Sequence, residues 1–360
     1  MVNTDQRKLK VMVMAGGTGG HVFPALAVAR ELQSHGAEIM WLGTRRGLES
    51  EVIPAAGIPI TFVNIAGLRG NGLLGWLFAP YRIAGALIQV IAGVRKFGPH
   101  VVLGLGGFVT GPGGIAAWLL RIPLVIHEQN AIAGLTNRLL APFSKLVLLG
   151  FPNTFKSSKA IHTGNPVRAD ILALAGNGPK SNSDRVHLLI VGGSLGAKAL
   201  NETVPNALHE MKNEQTFEVW HQTGKKLCTE TQALYAKLKM DGRVEAFIED
   251  MSTAYAWADL VVCRAGALTV AELAASGVAA ILVPYPHAVD DHQTANARYL
   301  SENGAAILLQ QSNLTPDILV KHLREIQGSA LEKMRLAAQN LALPNATRVV
   351  AKYCMDVAIT

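Results

Sequence analysis

The 360-residue chain is 49% hydrophobic and 16% charged, which excludes a disordered or acidic-tail protein and calls for two cores, since single cores stop growing at about 250–300 residues. Its net charge of +7 is uneven: residues 1–166 hold 15 Lys and Arg against 6 Asp and Glu, and the remainder 18 against 20. The first half is therefore expected to meet something anionic.

The chain opens with an expected strand over 9–14, a glycine-rich turn and an apolar-periodic helix over 22–32. Arg7, Lys8 and Lys10 precede the apolar run Val11 to Met14, but Gly16 and Gly17 end that run too early for a signal peptide. Short apolar runs at 38–42, 60–63, 100–103, 124–127 and 146–149 alternate with helical segments, the pattern of a parallel sheet with crossovers. The longest apolar stretch, 73–94, carries Pro80 and Arg82 near its middle and is rejected as a membrane span, the charge alone costing about 2.5–3.5 kcal/mol.

Residues 151–166, rich in Pro, Asn, Ser and Lys, read as a linker. The same alternation restarts with strands expected at 186–191, 217–221, 244–247, 260–263, 280–283 and 306–309. The fold class is α/β, two doubly wound domains, 1–166 and 167–344, with a helical, partly apolar tail over 345–360. Cys228, Cys263 and Cys354 show no CxxC spacing, so neither a disulfide framework nor a zinc site is indicated, and a reducing compartment suits them.

Each domain opens on a glycine-rich turn between strand and helix, Gly16-Gly17-Thr18-Gly19-Gly20 and Gly192-Gly193-Ser194-Leu195-Gly196. Such turns offer bare backbone N–H groups and a positive helix end to phosphate. Neither fits GxGxxG, because Val22 stands at the third glycine position, and no GxxxxGK[ST] occurs, which demotes dinucleotide binding and P-loop ATP hydrolysis. Past the strand at 260–263, Gly266 and Ala267 let a diphosphate approach a helix expected to begin near Leu268, and Glu272, about a turn further in, can take two hydrogen bonds from a ribose diol. The plain alternative makes Glu272 a first-turn acid favoured by the helix dipole. No Asp-x-Asp metal clamp and no HExxH spacing occurs, so no metal is expected, and helix dipoles with Arg168 are left to neutralise a leaving diphosphate. His21, His127-Glu128-Gln129-Asn130 and the run 284–293, with His287, Asp290, Asp291, His292 and Gln293, all lie at strand ends where open sheets bind ligands.

The motifs AGGTGGHVFPALAVA (15–29), HEQN (127–130), GNPVR (164–168), GGSLGA (192–197), FIEDM (247–251), CRAGALTVAEL (263–273) and DDHQTANA (290–297) together resemble the bacterial MurG family over nearly the whole chain. The resemblance implies the GT-B fold, two doubly wound domains facing across a cleft, with the tail helix returning to the first domain. It implies an inverting hexosyltransferase that moves N-acetylglucosamine from UDP-GlcNAc to the C4 hydroxyl of the muramyl sugar of a lipid-linked pentapeptide acceptor, lipid I to lipid II, in peptidoglycan synthesis and hence in cell shape and division. On that resemblance Ile248 reads the uracil through its backbone and Glu272 the ribose. Ser194, Ala267, Leu268, Thr269, Val270 and Ala271 hold the diphosphate and sugar, and Gln293 counts sugar hydroxyls. Thr18, Gly19, Gly20, Asn130 and Arg168 complete the donor pocket. His21 is the first candidate base and Glu128 the second. No cofactor and no nucleic acid is implied, and contacts with other cell-wall synthesis proteins are.

Two other readings compete: a UDP-GlcNAc 2-epimerase of similar fold, which has no need of a cationic, apolar first domain, and a non-catalytic sugar-nucleotide-binding subunit. The expected location is peripheral, at the cytoplasmic face of the inner membrane on anionic lipid. Leu73, Leu74, Trp76, Leu77 and Phe78, flanked by Arg69 and Arg82, are the expected contact, against the alternative of a core helix buried through Ile83, Leu87, Val90 and Ile91.

Overall fold

A computed structural model of the chain describes residues 8–65, 79–174, 185–193, 195–214 and 217–359. They divide into two compact units, the first ending at Arg168 but taking back residues 345–360, the second Ala169–Pro344.

The sheet of unit 1 contains β1 (Lys10–Ala15), β2 (Glu38–Gly43), β3 (Ile60–Phe62), β4 (Val101–Gly106), β5 (Leu124–Glu128), β6 (Leu146–Leu149) and β7 (Ala160–His162). They run parallel in the order β3-β2-β1-β4-β5-β6-β7. A parallel sheet is covered on both faces, so its strands are apolar throughout rather than alternating. In β1, Val11, Val13 and Ala15 join the core under α1 (Gly19–Ser34), α2 (Glu49–Ala55) and the C-terminal helix Ala346–Ile359, which buries Val350, Ala351 and Cys354 there. Met12 and Met14 join the opposite core, under α3 (Ala79–Phe97), α4 (Thr110–Leu119) and α5 (Leu135–Leu140).

Helix α3 takes up most of the long apolar stretch. It buries Ala86, Val90, Val94 and Phe97 against the sheet, a helical spacing that packs the part of α3 from Ala86 to Phe97 on the core. Strand β7 lies within the segment read as linker. Three residues between polar neighbours give no period-2 signal, and pairing to β6 alone makes them a strand.

After the short α6 (Ala169–Leu172), unit 2 continues with β8 (Val186–Val191), α7 (Lys198–Glu210), β9 (Phe217–Gln222), α8 (Cys228–Leu238), β10 (Arg243–Glu245), α9 (Met251–Trp257), β11 (Leu260–Cys263), α10 (Ala267–Ser276), β12 (Ala279–Leu282), α11 (His292–Ser301), β13 (Ala306–Leu308), α12 (Pro316–Glu325) and α13 (Ser329–Asn340). Its parallel strand order is β10-β9-β8-β11-β12-β13. In both sheets the order reverses beside the first strand, at β1/β4 and at β8/β11, the switch point outside which ligands of open α/β sheets bind.

Candidate active site

The glycine turn of unit 1 is shaped by a carboxylate. Glu49, fully buried at the start of α2, accepts from Gly17 N at 2.9 Å through Oε2 and from Thr44 N at 2.9 Å and Thr44 Oγ1 at 2.8 Å through Oε1. Gly17 sits at φ +93°, where a side chain would strain the backbone. The loop after β4 closes on the same turn: a Cβ on Gly107 would lie 2.4 Å from Gly16 O, and one on Gly106 would lie 2.8 Å from the His21 ring. His21 thus stands in the first turn of α1 with its imidazole against the Gly106 backbone and its Nδ1 buried.

The HEQN run turns inward. His127 is fully buried, its Nε2 3.0 Å from Gly164 O and its Nδ1 3.1 Å from Gln129 Nε2. The ring donates to the carbonyl and accepts from the amide, and burial pushes its pKa down to about 4, so it is neutral at working pH. Glu128, 2% exposed, accepts from Asn130 N at 3.0 Å, Asn130 Nδ2 at 3.3 Å, Gly134 N at 3.0 Å and Asn137 Nδ2 at 2.9 Å. Both its oxygens are occupied in holding the loop that carries Asn130. Asn165 donates to Gln129 O at 3.0 Å, which ties the GNPVR turn, and with it the half-buried Arg168, to the end of β5.

In unit 2 the turn after β8 meets the end of β9 without room for side chains. A Cβ on Gly196 would lie 2.1 Å from Thr223 O, and one on Gly224 2.4 Å from Gly196 N. Beneath them His221 is buried between the Tyr235 hydroxyl and Asn201 Oδ1, both at 3.1 Å, and burial holds its pKa down at about 3.

Helix α10 starts at the β8/β11 switch with Gly266 as its N-cap. Glu272 is its sixth residue and no acid occupies its first turn, so the dipole reading of Glu272 does not apply. Its Oε2 accepts from the buried Tyr255 hydroxyl at 3.2 Å. Burial first, and this carboxylate second, push the nearby Cys263 thiol up to about 12. Gln293, at the start of α11, accepts from Ala265 N at 3.2 Å and Tyr285 N at 2.9 Å, both on Oε1, which leaves its NH₂ group as the donating end. Asp290 and Asp291 just before it both hold left-handed backbone, φ 53° and 51°, a strain on the order of 1–3 kcal/mol each that concentrates at functional sites. Beyond β10 a pocket of about 650 Å³ is bordered by Trp220, Arg243, Phe247, Ile248 and Asp250, and Ile248 N donates to Gln222 Oε1 at 2.9 Å.

Three helices leave these turns, α1, α7 and α10, and none has a side-chain cap or an acid in its first turn. By contrast Asp250 caps α9 and Thr315 caps α12. Bare, positive helix ends at two switch points are suited to anionic ligands. Among the described residues no group of three His, Cys, Asp or Glu side chains is placed to hold a metal ion.

The glycosyltransferase family 28 N-terminal domain matches residues 11–149 and the glycosyltransferase family 28 C-terminal domain residues 187–351. The chain is 51% identical to the UDP-N-acetylglucosamine–N-acetylmuramyl-(pentapeptide) pyrophosphoryl-undecaprenol N-acetylglucosamine transferase of Nitrosococcus oceani, over 97% of this chain and 99% of that one. It is also 51% identical to the same-named protein of Cellvibrio japonicus, over 98% and 99%. The crystal structure of Acinetobacter baumannii MurG superposes with a TM-score of 0.82 at 44% identity, covering 97% of this chain and 99% of that one. The chain belongs to the MurG family. It is an N-acetylglucosaminyltransferase with two Rossmann-like domains of the GT-B class, and the names of these relatives lend no support to an epimerase.

Of the site residues expected of a MurG family member, Thr18, Gly19, Gly20 and His21 share the turn that opens α1. Ala267, Leu268, Thr269, Val270, Ala271 and Glu272 lie along α10, with Gln293 bonded to the backbone just before it. Ser194 and the apolar run Leu73, Leu74, Trp76, Leu77 and Phe78 with Arg69 lie outside the described residues, as does the Arg82 side chain. Sequence reading passed over Glu49, whose signal is weak, and Gly106-Gly107, whose signal was available: a glycine pair ending an apolar strand next to the first one. It also passed over an exposed apolar patch, Ile115, Trp118 and Leu119 of α4 with Leu135 and Leu139 of α5 and Phe143, because its members are spread over three segments and meet only in the fold. Trp118 and Phe143 touch, with ring centroids 5.1 Å apart.

Proposed function

We infer that this MurG family member transfers N-acetylglucosamine from UDP-GlcNAc to the C4 hydroxyl of the muramyl sugar in the undecaprenyl-pyrophosphoryl pentapeptide acceptor, with inversion at C1. The observation that carries the residue assignment is the uncapped N-terminus of α10 followed, within two turns, by the Glu272 carboxylate, a spacing that suits a diphosphate and the ribose attached to it. Unit 2 holds the donor. Bare amides at Gly266 and Ala267 face the diphosphate, Glu272 accepts from the ribose diol, and the Gln293 NH₂ group donates to sugar hydroxyls. Since Ile248 N is already committed to Gln222, the uracil contact falls to the Ile248 carbonyl, which accepts from the base N3–H.

Chemistry at the acceptor is assigned to unit 1. The acceptor oxygen attacks C1 of the sugar, the C1–O bond to the β-phosphate breaks, UDP departs, and the hydroxyl proton passes to His21. His21 is preferred over Glu128, whose oxygens already serve four donors, and over His127, whose pKa near 4 leaves it a weak base with both nitrogens engaged. Asn130 and Arg168 serve the donor from their half-buried positions.

The protein works at the cytoplasmic face of the inner membrane as a peripheral protein. Among the described residues no helix is long and apolar enough to cross a membrane. The patch of Ile115, Trp118, Leu119, Leu135, Leu139 and Phe143 adjoins a pocket of about 610 Å³ bordered by Arg138, Lys156 and Lys159. Aromatic and aliphatic side chains beside basic ones suit anionic lipid, each basic group adding about 1 kcal/mol. The run 73–78 with Arg69 and Arg82 belongs to the same docking proposal.

Incubation with labelled UDP-GlcNAc and the lipid-linked muramyl-pentapeptide tests the reading. Label should enter a lipid-soluble disaccharide with one UDP released per transfer. Release of UDP without that product, or epimerised donor in the absence of acceptor, would refute it.

A further inference from the structure

A second pocket in unit 1, of about 650 Å³, opens at the C-terminal ends of β2 and β3 and is closed on one side by α3. Its polar lining is Arg45, Arg46, Thr44, Asn64 and Gln89, and its walls are Val63, Ile65 and Ala86. Both arginines are exposed, and neither has a carboxylate partner among the described residues. The Arg45 guanidinium lies 4.8 Å from the centre of the Phe62 ring, which occupies its face and leaves its N–H edge to a ligand. Gln89 Oε1 accepts from Asn64 N at 3.1 Å, so the Gln89 NH₂ group is the end that remains to donate. The pocket is joined to the proposed catalytic turn by one side chain: Thr44 at its rim and Gly17 in the turn donate to the two oxygens of the same Glu49 carboxylate.

We propose that this pocket is a subsite for the pentapeptide of the acceptor, with Arg45 and Arg46 pairing to peptide carboxylate. The inference rests on the transferase reading above and deepens it. A pentapeptide attached through its N-terminus ends in a free carboxylate, and its backbone offers alternating donors and acceptors. Paired arginine forks suit the carboxylate, amide and hydroxyl side chains suit the backbone, and apolar walls suit small side chains. The acceptor pyrophosphate is the other source of negative charge. It needs donors alone, has no use for the apolar walls, and has the bare α1 N-terminus available.

The test is steady-state transfer by the Arg45→Gln, Arg46→Gln double variant, with two acceptors: the lipid-linked muramyl-pentapeptide, and the same lipid with the peptide replaced by a methylamide on the lactyl group. Both positions are exposed, and a thermal unfolding profile that matches wild type serves as the control for folding of unit 1. The variant should lose at least about tenfold in kcat/KM on the pentapeptide acceptor, keep its donor KM, and match wild type within about twofold on the methylamide. An equal loss on both acceptors assigns the arginines to the pyrophosphate and overturns the proposal, as does undiminished turnover on the pentapeptide. Wild-type enzyme that labels neither acceptor sinks the transferase reading itself, and the subsite with it.

Discussion

Replacing Glu272 by alanine removes a half-buried carboxylate whose Oε2 already accepts from the Tyr255 hydroxyl at 3.2 Å. The remaining acceptor capacity is what a ribose diol would use. A hydrogen bond to a charged group is worth about 1.5–3 kcal/mol, so one lost ribose contact raises the Kd for UDP roughly 10- to 150-fold. The contact exists in the ground state, so titration calorimetry with UDP reads it without acceptor or turnover. Tyr255→Phe separates binding from support: it deletes a donor that orients the carboxylate but leaves the carboxylate itself for the ribose, so UDP affinity should fall only several-fold, less than in Glu272→Ala. Affinity for UDP unchanged within twofold in Glu272→Ala would remove Glu272 from the donor site and, with it, the argument from its spacing to the α10 N-terminus.

Glu49→Gln puts an NH₂ group opposite the Thr44 or Gly17 donors, a buried mismatch of about 2 kcal/mol; turnover should fall while UDP affinity of unit 2 holds, and normal kinetics would deny Glu49 its shaping of the turn. Burial holds His127 near 4 and His221 near 3, below the unfolded value of about 6.5. Below pH 6.5 the unfolded chain therefore takes up protons that the folded one refuses, so stability is full above that pH and falls by on the order of 1 kcal/mol per unit per group toward pH 4. Thermal midpoints should drop steadily from pH 7 to 5, and a flat profile would contradict the two buried neutral rings. A Trp118→Ser, Phe143→Ser variant should sediment less with anionic vesicles than wild type, whose own binding should weaken with salt; binding indifferent to lipid charge would exclude the electrostatic part of docking.

Much of the fold was legible because parallel strands buried on both faces write themselves as short apolar runs: Val11 to Met14 and Leu260 to Cys263 need no tertiary context to be seen. β7 was not, since Ala160–His162 is held by β6 alone. The glycine turns announced both switch points, yet sequence could not say which acid shapes the first one, because Glu49 meets Gly17 across 32 positions. HEQN looked like a row of ligand-facing groups. Its period along β5 hides that Glu128 is consumed by the loop it supports and that His127 is clamped by Gly164, a partner 37 residues away. Side chains that converge from distant segments, Trp118 with Phe143 or Arg45 with Gln89, leave no local trace at all.

The claim that unit 1 performs the proton transfer while unit 2 holds the donor is tested most directly by His21→Ala, assayed for turnover and for UDP affinity in the same preparation. The account predicts kcat lower by about 100-fold or more, the scale of a lost general base, with UDP affinity unchanged. Turnover near wild type would contradict it and move the base to another group.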